Sequence, residues 1–112
     1  MTRADLIAAL EKLDGPFTTP LYRSQQRRDL ITLAERAGLT GRELDALDEA
    51  LGGSIDAALS LVPFGFTWLI ASGATKRNVR PWAHIDGPEC GFASEAATTA
   101  IALCIAALKA RE

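Results

Sequence analysis

The sequence predicts an α+β fold in which helices pack on a small antiparallel sheet of two or three strands, with an N-terminal helical lobe. Apolar residues recur at helical spacing through roughly the first sixty residues, which predicts the lobe. The period then changes to alternation in residues 64–72 and 79–85, which predicts strands. The chain closes with the apolar run AATTAIALCIAALKA at residues 96–110, which predicts a buried helix.

Length and charge limit the organisation and the partners of the chain. Its 112 residues are enough for one core without disulfides or metals. We expect one compact domain, built from a segment of three helices in residues 1–53 and an α-β-β-α sandwich unit in residues 54–112. With 14 acidic and 12 basic residues the net charge is −2. Proteins with general affinity for nucleic acid usually have an excess of basic residues, so this balance argues against such affinity.

Capping residues and glycines predict where the helices begin and end. The expected N-caps of the first four helices are Thr2, Ser24, Thr40 and Ser54. Glu43 stands three residues after Thr40, which completes a capping box for the third helix. Gly15 and Pro16 stop the first helix, and the short fourth helix spans residues 55–61 with Ile55 on its apolar face.

Alternation assigns side chains to the two faces of each predicted strand. In the first strand one face carries Phe66, Trp68 and Ile70, and the other carries Thr67, Leu69 and Ala71. In the second strand one face carries Val79, Ala83 and Ile85, and the other carries Arg80, Trp82 and His84. Pro81 cannot donate to a ladder, so the second strand is either an edge strand or is interrupted there. Residues 90–93 are a candidate for a short third strand.

The apolar run at residues 96–110 is too short for a membrane span, which needs about 20 apolar residues. A helix that is apolar on every side must be buried on most of its circumference, so we expect it to cover the sheet. It begins at Ser94 or Thr98. A charge at its centre, as in Ile105→Asp, is expected to destabilise the protein by several kcal/mol. The sequence leaves open where the three earlier helices dock.

Two groups of basic residues are candidates for an interaction surface, one near the second helix and one in the hairpin between the predicted strands. The surface residues are Arg23, Arg27, Arg28, Lys76, Arg77, Arg80, Trp82 and His84. Trp82 beside the hairpin group is similar to a stacking platform for single-stranded nucleic acid. The charge is low for such a platform, so a solvated hairpin tip with a half-buried tryptophan is the favoured interpretation.

The sequence predicts no catalytic residue, no metal site and no cofactor. His84 is its single histidine, and Asp86 would share a strand face with it, but a catalytic histidine also needs a third partner. His84, Asp86, Glu89 and Cys90 have no metal-ligand spacing, and the glycines match no phosphate-binding fingerprint. Cys90 and Cys104 are expected to be reduced thiols. The charged N-terminus lacks a signal-peptide core, which favours a cytoplasmic location.

The segment from Leu33 to Ala50 has the spacing of a helix-turn-helix, with Ala34 in the first helix and Gly38 in the turn. Its second helix offers Arg42 together with four carboxylates. Because carboxylates are repelled by phosphates and by the acceptor groups of bases, a plain helical hairpin is favoured over a DNA reader.

Three stretches of the chain carry a family resemblance: SIDAALSLVPFGFTW at residues 54–68, ASEAATTAIALCIAALKAR at residues 93–111 and GRELDAL at residues 41–47. They resemble the phage ABA-sandwich domain of small bacteriophage and prophage proteins. The resemblance implies phage or prophage origin and a sandwich of helices about a small sheet, and it implies no reaction. Thr99 stands where the family usually has proline, and residues 16–37 have no clear counterpart.

These observations favour a non-enzymatic phage or prophage accessory protein that binds a host or phage protein in the cytoplasm of a bacterial host. A narrower hypothesis is an inhibitor of a host defence system, such as an anti-CRISPR protein. The alternatives are a DNA-binding regulator that uses the segment from Leu33 to Ala50 and an enzyme centred on His84 and Asp86. No membrane association is expected, and both a monomer and a dimer are compatible with the sequence.

Overall fold

A computed structural model describes residues 3–13, 24–71, 81–88 and 91–110. These residues form five helices and three strands. In chain order the elements are α1 (Arg3–Glu11), α2 (Gln25–Arg36), α3 (Gly41–Leu51), α4 (Ile55–Leu59), β1 (Thr67–Ala71), β2 (Trp82–Asp86), β3 (Gly91–Glu95) and α5 (Thr99–Ala110). The α+β class predicted from the sequence is confirmed, and the sheet has three strands within this part of the chain.

Serine caps fix the starts of α2 and α4, as the sequence predicts. Ser24 Oγ accepts a hydrogen bond from the N–H of Arg27 at 3.1 Å. Ser54 Oγ accepts one from the N–H of Ala57 at 3.2 Å. Each bond satisfies a donor that the first turn of a helix leaves without an intrahelical partner, so both boundaries follow from local sequence.

The predicted capping box of α3 is also confirmed. The N–H and the hydroxyl of Thr40 both donate to Glu43 Oε1, at 3.1 and 3.0 Å. This pairing ties the third residue of the helix back to its cap, and the helix begins where the motif predicts. The predicted cap Thr2 and the predicted stop at Gly15 and Pro16 lie outside the described residues.

Helix α4 is shorter than predicted, and one residue of its predicted apolar face is exposed. It ends at Leu59 rather than two residues later. Ile55, which was expected on the apolar face, is 37% exposed, whereas Ala58 and Leu61 are buried. In a helix of little more than one turn, the serine cap and the following turn decide which side faces the core. The other predicted residues of this face do meet the core, since Ala58 is buried and Leu59 and Val62 pack against the core.

The strands form one antiparallel sheet in the order β1-β2-β3. β2 is therefore the central strand, and the prediction that Pro81 makes it an edge strand is wrong. β2 begins at Trp82, directly after Pro81, and the part of the predicted strand before Pro81 lies outside the described residues. Proline has no N–H to donate and so stays out of the ladder, while its carbonyl accepts the N–H of Ala96 at 3.0 Å. Val79 and Cys90 lie outside the described residues.

The predicted alternation of β2 is confirmed by burial. Ala83 and Ile85 are completely buried, and the register places Ile70 opposite Ala83 on the same side. Ser94 also lies opposite Ala83, within β3, so the prediction that α5 begins at Ser94 is wrong. Instead Thr98 Oγ1 accepts the N–H of Ile101 at 3.1 Å and caps α5.

Helix α5 occupies the middle of the molecule. On one side it packs against all three strands, and on the other it packs against α1, α3 and α4. Every residue from Ala100 to Leu108 is at most 1% exposed. α2 completes the lobe by packing against α1 and α3. The apolar character on every side of this helix is thus explained by two layers that cover it from opposite directions.

Candidate interaction surface

One face of the sheet has no helix packed closely on it in the described part of the chain, because α5 lies against the strands from the other side. Side chains alternate along a strand, so those between Ala83 and Ile85 and their cross-strand neighbours point away from α5. We name this side the open face. Its described residues are Thr67, Leu69, Trp82, His84, Asp86, Gly91, Ala93 and Glu95.

The centre of the open face is a row of three residues that crosses the sheet. The register places Leu69 opposite His84 and His84 opposite Ala93, so neighbouring Cβ atoms in the row lie about 5 Å apart. Leu69 is 60% exposed. Trp82 lies one row away, opposite Glu95, and is half-buried. The centre of the face therefore combines apolar and aromatic groups, and carboxylates lie at its margin.

His84 and Asp86 form a hydrogen-bonded pair on this face. The distance between His84 Nε2 and Asp86 Oδ1 is 2.9 Å, which confirms that the two residues share a strand face. Gly91 leaves room for the pair, since a Cβ atom at Gly91 would lie 2.5 Å from Asp86 Oδ1 and 3.2 Å from His84 Nε2. Both side chains are exposed, so the contact adds little stability.

The pair does not form a larger catalytic group in the described residues. No hydroxyl or thiol there donates a hydrogen bond to His84, whose partner is Asp86. No cluster of three histidine, cysteine or acidic side chains suited to a metal ion is found in the same residues. Glu89 and Cys90, which the sequence places nearby, lie outside the described residues.

The structure separates the predicted interaction residues into two places. Arg27 Nε lies 2.6 Å from Asp48 Oδ1, and Arg27 Nη2 donates to the Asp48 carbonyl at 2.7 Å, which joins α2 to α3. Arg28 is exposed and donates to Gln25 Oε1 at 2.9 Å. Both arginines belong to the helical lobe, whereas Trp82 and His84 lie on the sheet. The other predicted residues, Arg23, Lys76, Arg77 and Arg80, lie outside the described residues.

Two exposed aromatic residues escape the sequence analysis. Trp68 was assigned only to a face of its strand, and it is 49% exposed although Ile85 opposite it is completely buried. Phe64 is fully exposed, beside Gly65 with its positive φ of 91°. The sequence carries no signal for the exposure of Trp68, because the edge position of β1 follows from the strand order.

The segment from Leu33 to Ala50 does form two helices joined by a short turn. Gly38 in the turn has a φ of 101°, a conformation that glycine adopts without strain. On α3, the exposed residues include Arg42, Asp45 and Glu49, and Asp48 is engaged by Arg27 of α2. The outer side of the second helix is therefore mainly acidic.

The thiol of Cys104 is buried in α5. Burial raises the pKa of the Cys104 thiol to about 12, so the reactive thiolate is disfavoured at neutral pH. None of the described helices has the length and apolar character that crossing a bilayer requires.

The chain matches no protein-family model, no curated protein and no solved structure. The resemblance to the phage ABA-sandwich domain stays a prediction.

Proposed function

We propose that the protein acts by binding another protein through the open face of its sheet. The observation that carries this proposal is the exposure of Leu69 in the middle row of a face that no described helix covers closely. An antiparallel sheet with one solvated face normally places polar residues on that face. Here the central row contains Leu69, His84 and Ala93, with Trp82 beside it. Tryptophan is enriched at protein interfaces, and charged residues are depleted from their centres.

The arrangement of apolar and charged groups indicates which surface chemistry on a partner would complement the open face. Trp82 is half-buried, so less side-chain entropy is lost when a partner covers it. Asp86 and Glu95 lie at opposite margins of the open face, in rows on either side of His84. A partner with an apolar centre and basic groups around it complements this pattern, because opposite charges steer the encounter and fix its orientation.

The narrower proposal is that the partner is a host or phage protein and that this chain is a phage or prophage accessory protein. An inhibitor of a host defence system, such as an anti-CRISPR protein, is one such role. The motifs at residues 54–68 and 93–111 support the phage assignment. The slight net negative charge of −2 supports a protein partner over a nucleic acid.

The test is affinity capture from host lysate with four versions of the protein: the wild type, Leu69→Lys, Ala93→Lys and Ile55→Lys. Leu69 and Ala93 lie on opposite strands of the open face, and Ile55 is an exposed apolar residue of α4. We expect the wild type and Ile55→Lys to capture the same protein, and both open-face variants to lose it. Surface substitutions of this kind change stability by about 0.5 kcal/mol, so all four should melt at similar temperatures.

Two results would overturn the proposal. The first is capture of the same partner by the wild type and by both open-face variants, because binding would then use another surface. The second is that the wild type captures no protein at all from lysates of hosts that carry the gene.

The alternative function is DNA binding by the α2–α3 pair. The tight turn at Gly38 supports it, because two helices joined in this way are common in DNA readers. The acidic residues Asp45 and Glu49 on the exposed side of α3 oppose it. An electrophoretic mobility shift at about 50 mM salt separates the functions, since phosphate contacts are strong there. A shift that Arg42→Ala removes would transfer the assignment to DNA.

A further inference from the structure

The strand β1 lies at an edge of the sheet, and no element in the described part of the chain pairs with its outer side. An edge strand presents a row of free N–H and C=O groups that another strand can satisfy. We propose that β1 pairs antiparallel with β1 of a second copy of this chain, about a twofold axis, to give a continuous sheet of six strands. The proposal does not require the proposed function, because the contact is made by the backbone edge of β1. Leu69 belongs both to this edge strand and to the open face.

The two edges of the sheet differ in how they are protected. β1 has the sequence TWLIA, without a charged residue or a proline. The opposite edge strand, β3, carries Glu95, and Lys109 Nζ donates to the Ala93 carbonyl of that strand at 3.2 Å. Charged side chains and covered carbonyls are the usual means by which proteins prevent pairing at an edge. Among the described residues β1 has neither of them, so within this part of the chain it is the edge that is open to pairing.

β1 has large apolar side chains exposed on both faces of the sheet. Trp68 lies on the α5 side of the sheet, opposite the buried Ile85, yet is 49% exposed. Leu69 lies on the open face and is 60% exposed. A strand added beyond β1 would cover Trp68 and Leu69 together, whereas a partner docked on one face of the sheet would cover only one of them.

The pattern of residues in β1 fits a second copy. In antiparallel pairing centred on Leu69, each Leu69 lies opposite its counterpart, and Trp68 lies opposite Ile70 of the other copy. Aromatic residues paired with β-branched ones are favourable cross-strand neighbours. Because the strand has no charge, two copies do not repel each other. Pairing about a twofold axis also gives a closed dimer. Each copy uses β1, which is the one unprotected sheet edge among the described residues, so no further copy can add.

The test is analytical ultracentrifugation of the full chain over about 5 to 200 µM, a range chosen for a small interface of modest affinity. We expect a dimer whose fraction rises with concentration for the wild type. Leu69→Lys should sediment as a monomer, because two lysines then face each other across the axis. Ala93→Lys carries the same substitution on the other edge strand and should remain a dimer.

A charge-swap experiment identifies the axis. Leu69→Lys and Leu69→Glu should each be monomeric alone and should form a dimer when mixed, because opposite charges then meet. A wild type that stays monomeric throughout the range would overturn the proposal. So would failure of the two folded variants to associate on mixing, or loss of the dimer in Ala93→Lys, which would place the contact on the open face. If Ala93→Lys still forms the dimer but no longer captures the partner protein, dimerisation and partner binding use different surfaces. This result separates the present proposal from the proposed function.

Discussion

The thiol of Cys104 lies in the middle of α5, where it packs as a small apolar side chain. Burial raises its pKa to about 12 from an ordinary value of 9.0. Above pH 9 the thiol of the unfolded chain loses its proton while the folded thiol keeps it. The unfolded state then binds fewer protons, so the free energy of unfolding falls as the pH rises.

We predict that this effect disappears in Cys104→Ala. In a Cys90→Ser background, the stability difference between Cys104 and Cys104→Ala should be constant below pH 9. Between about pH 9 and 12 it should fall by up to about 1.4 kcal/mol per pH unit. Chemical denaturation at a series of pH values measures it, and other titrating groups cancel in the difference. A difference that is independent of pH over this range would mean that Cys104 is solvated.

Individual residues also show how far sequence reasoning extends toward the site. The shared face of His84 and Asp86 follows from spacing along a strand, and it is confirmed. The pairing of Arg27 with Asp48 joins residues 21 positions apart, so no local pattern reveals it. Arg27 was predicted in an interaction surface, and its side chain is only 11% exposed within that ion pair.

At the scale of elements, the helical boundaries are the most predictable feature. Caps at Ser24, Thr40 and Ser54 act within one turn, so the residues that form them are neighbours in the sequence. The turn glycine Gly38 is equally local. The packing of α2 against α3 is a contact between elements, and it includes the ion pair of Arg27 with Asp48.

We predict that Arg27→Ala destabilises the protein by about 1 to 3 kcal/mol, because it removes two charge-assisted hydrogen bonds and leaves the Asp48 carboxylate without its partner. Arg28→Ala, one position away on the exposed side, should cost less than about 0.5 kcal/mol. Urea denaturation measures both. A double-mutant cycle with Asp48→Ala isolates the coupling, and a coupling energy near zero would show that the pair is not formed in solution.

The sheet is less predictable than the helices. Alternation along β2 is confirmed, but the sequence does not show which strand is central, and Pro81 suggested an edge. Strand order depends on pairing between segments, and proline excludes only its own position from the ladder. For the same reason the exposure of Trp68 could not be predicted.

At the scale of the whole molecule, α5 holds the sheet and the helical lobe together. The buried residues form one continuous core that includes both layers and this helix. We therefore expect the protein to unfold as a single cooperative unit, with both parts lost together.

We predict that Ile105→Asp, at the centre of α5, destabilises the protein by about 3 to 5 kcal/mol, because a charge at this completely buried position loses its contact with water. Ile105→Val should cost about 1 kcal/mol and keeps the test informative if the aspartate variant fails to fold. Ala8→Asp, on the exposed side of α1, is the control. Thermal melting followed by circular dichroism measures all three, and an unchanged melting temperature in Ile105→Asp would refute the central placement of α5.

The sequence by itself determined the α+β class, the starts of the capped helices, the alternation of the strands and the burial of the last helix. These features arise from interactions within a few residues, or from the number of apolar side chains that must leave water. Only the tertiary structure decided the order of the strands, the docking of the lobe on the far side of α5, and the exposure of Trp68 and Leu69. Those features depend on which segments meet, and contacts between distant segments leave no periodic signal in the chain.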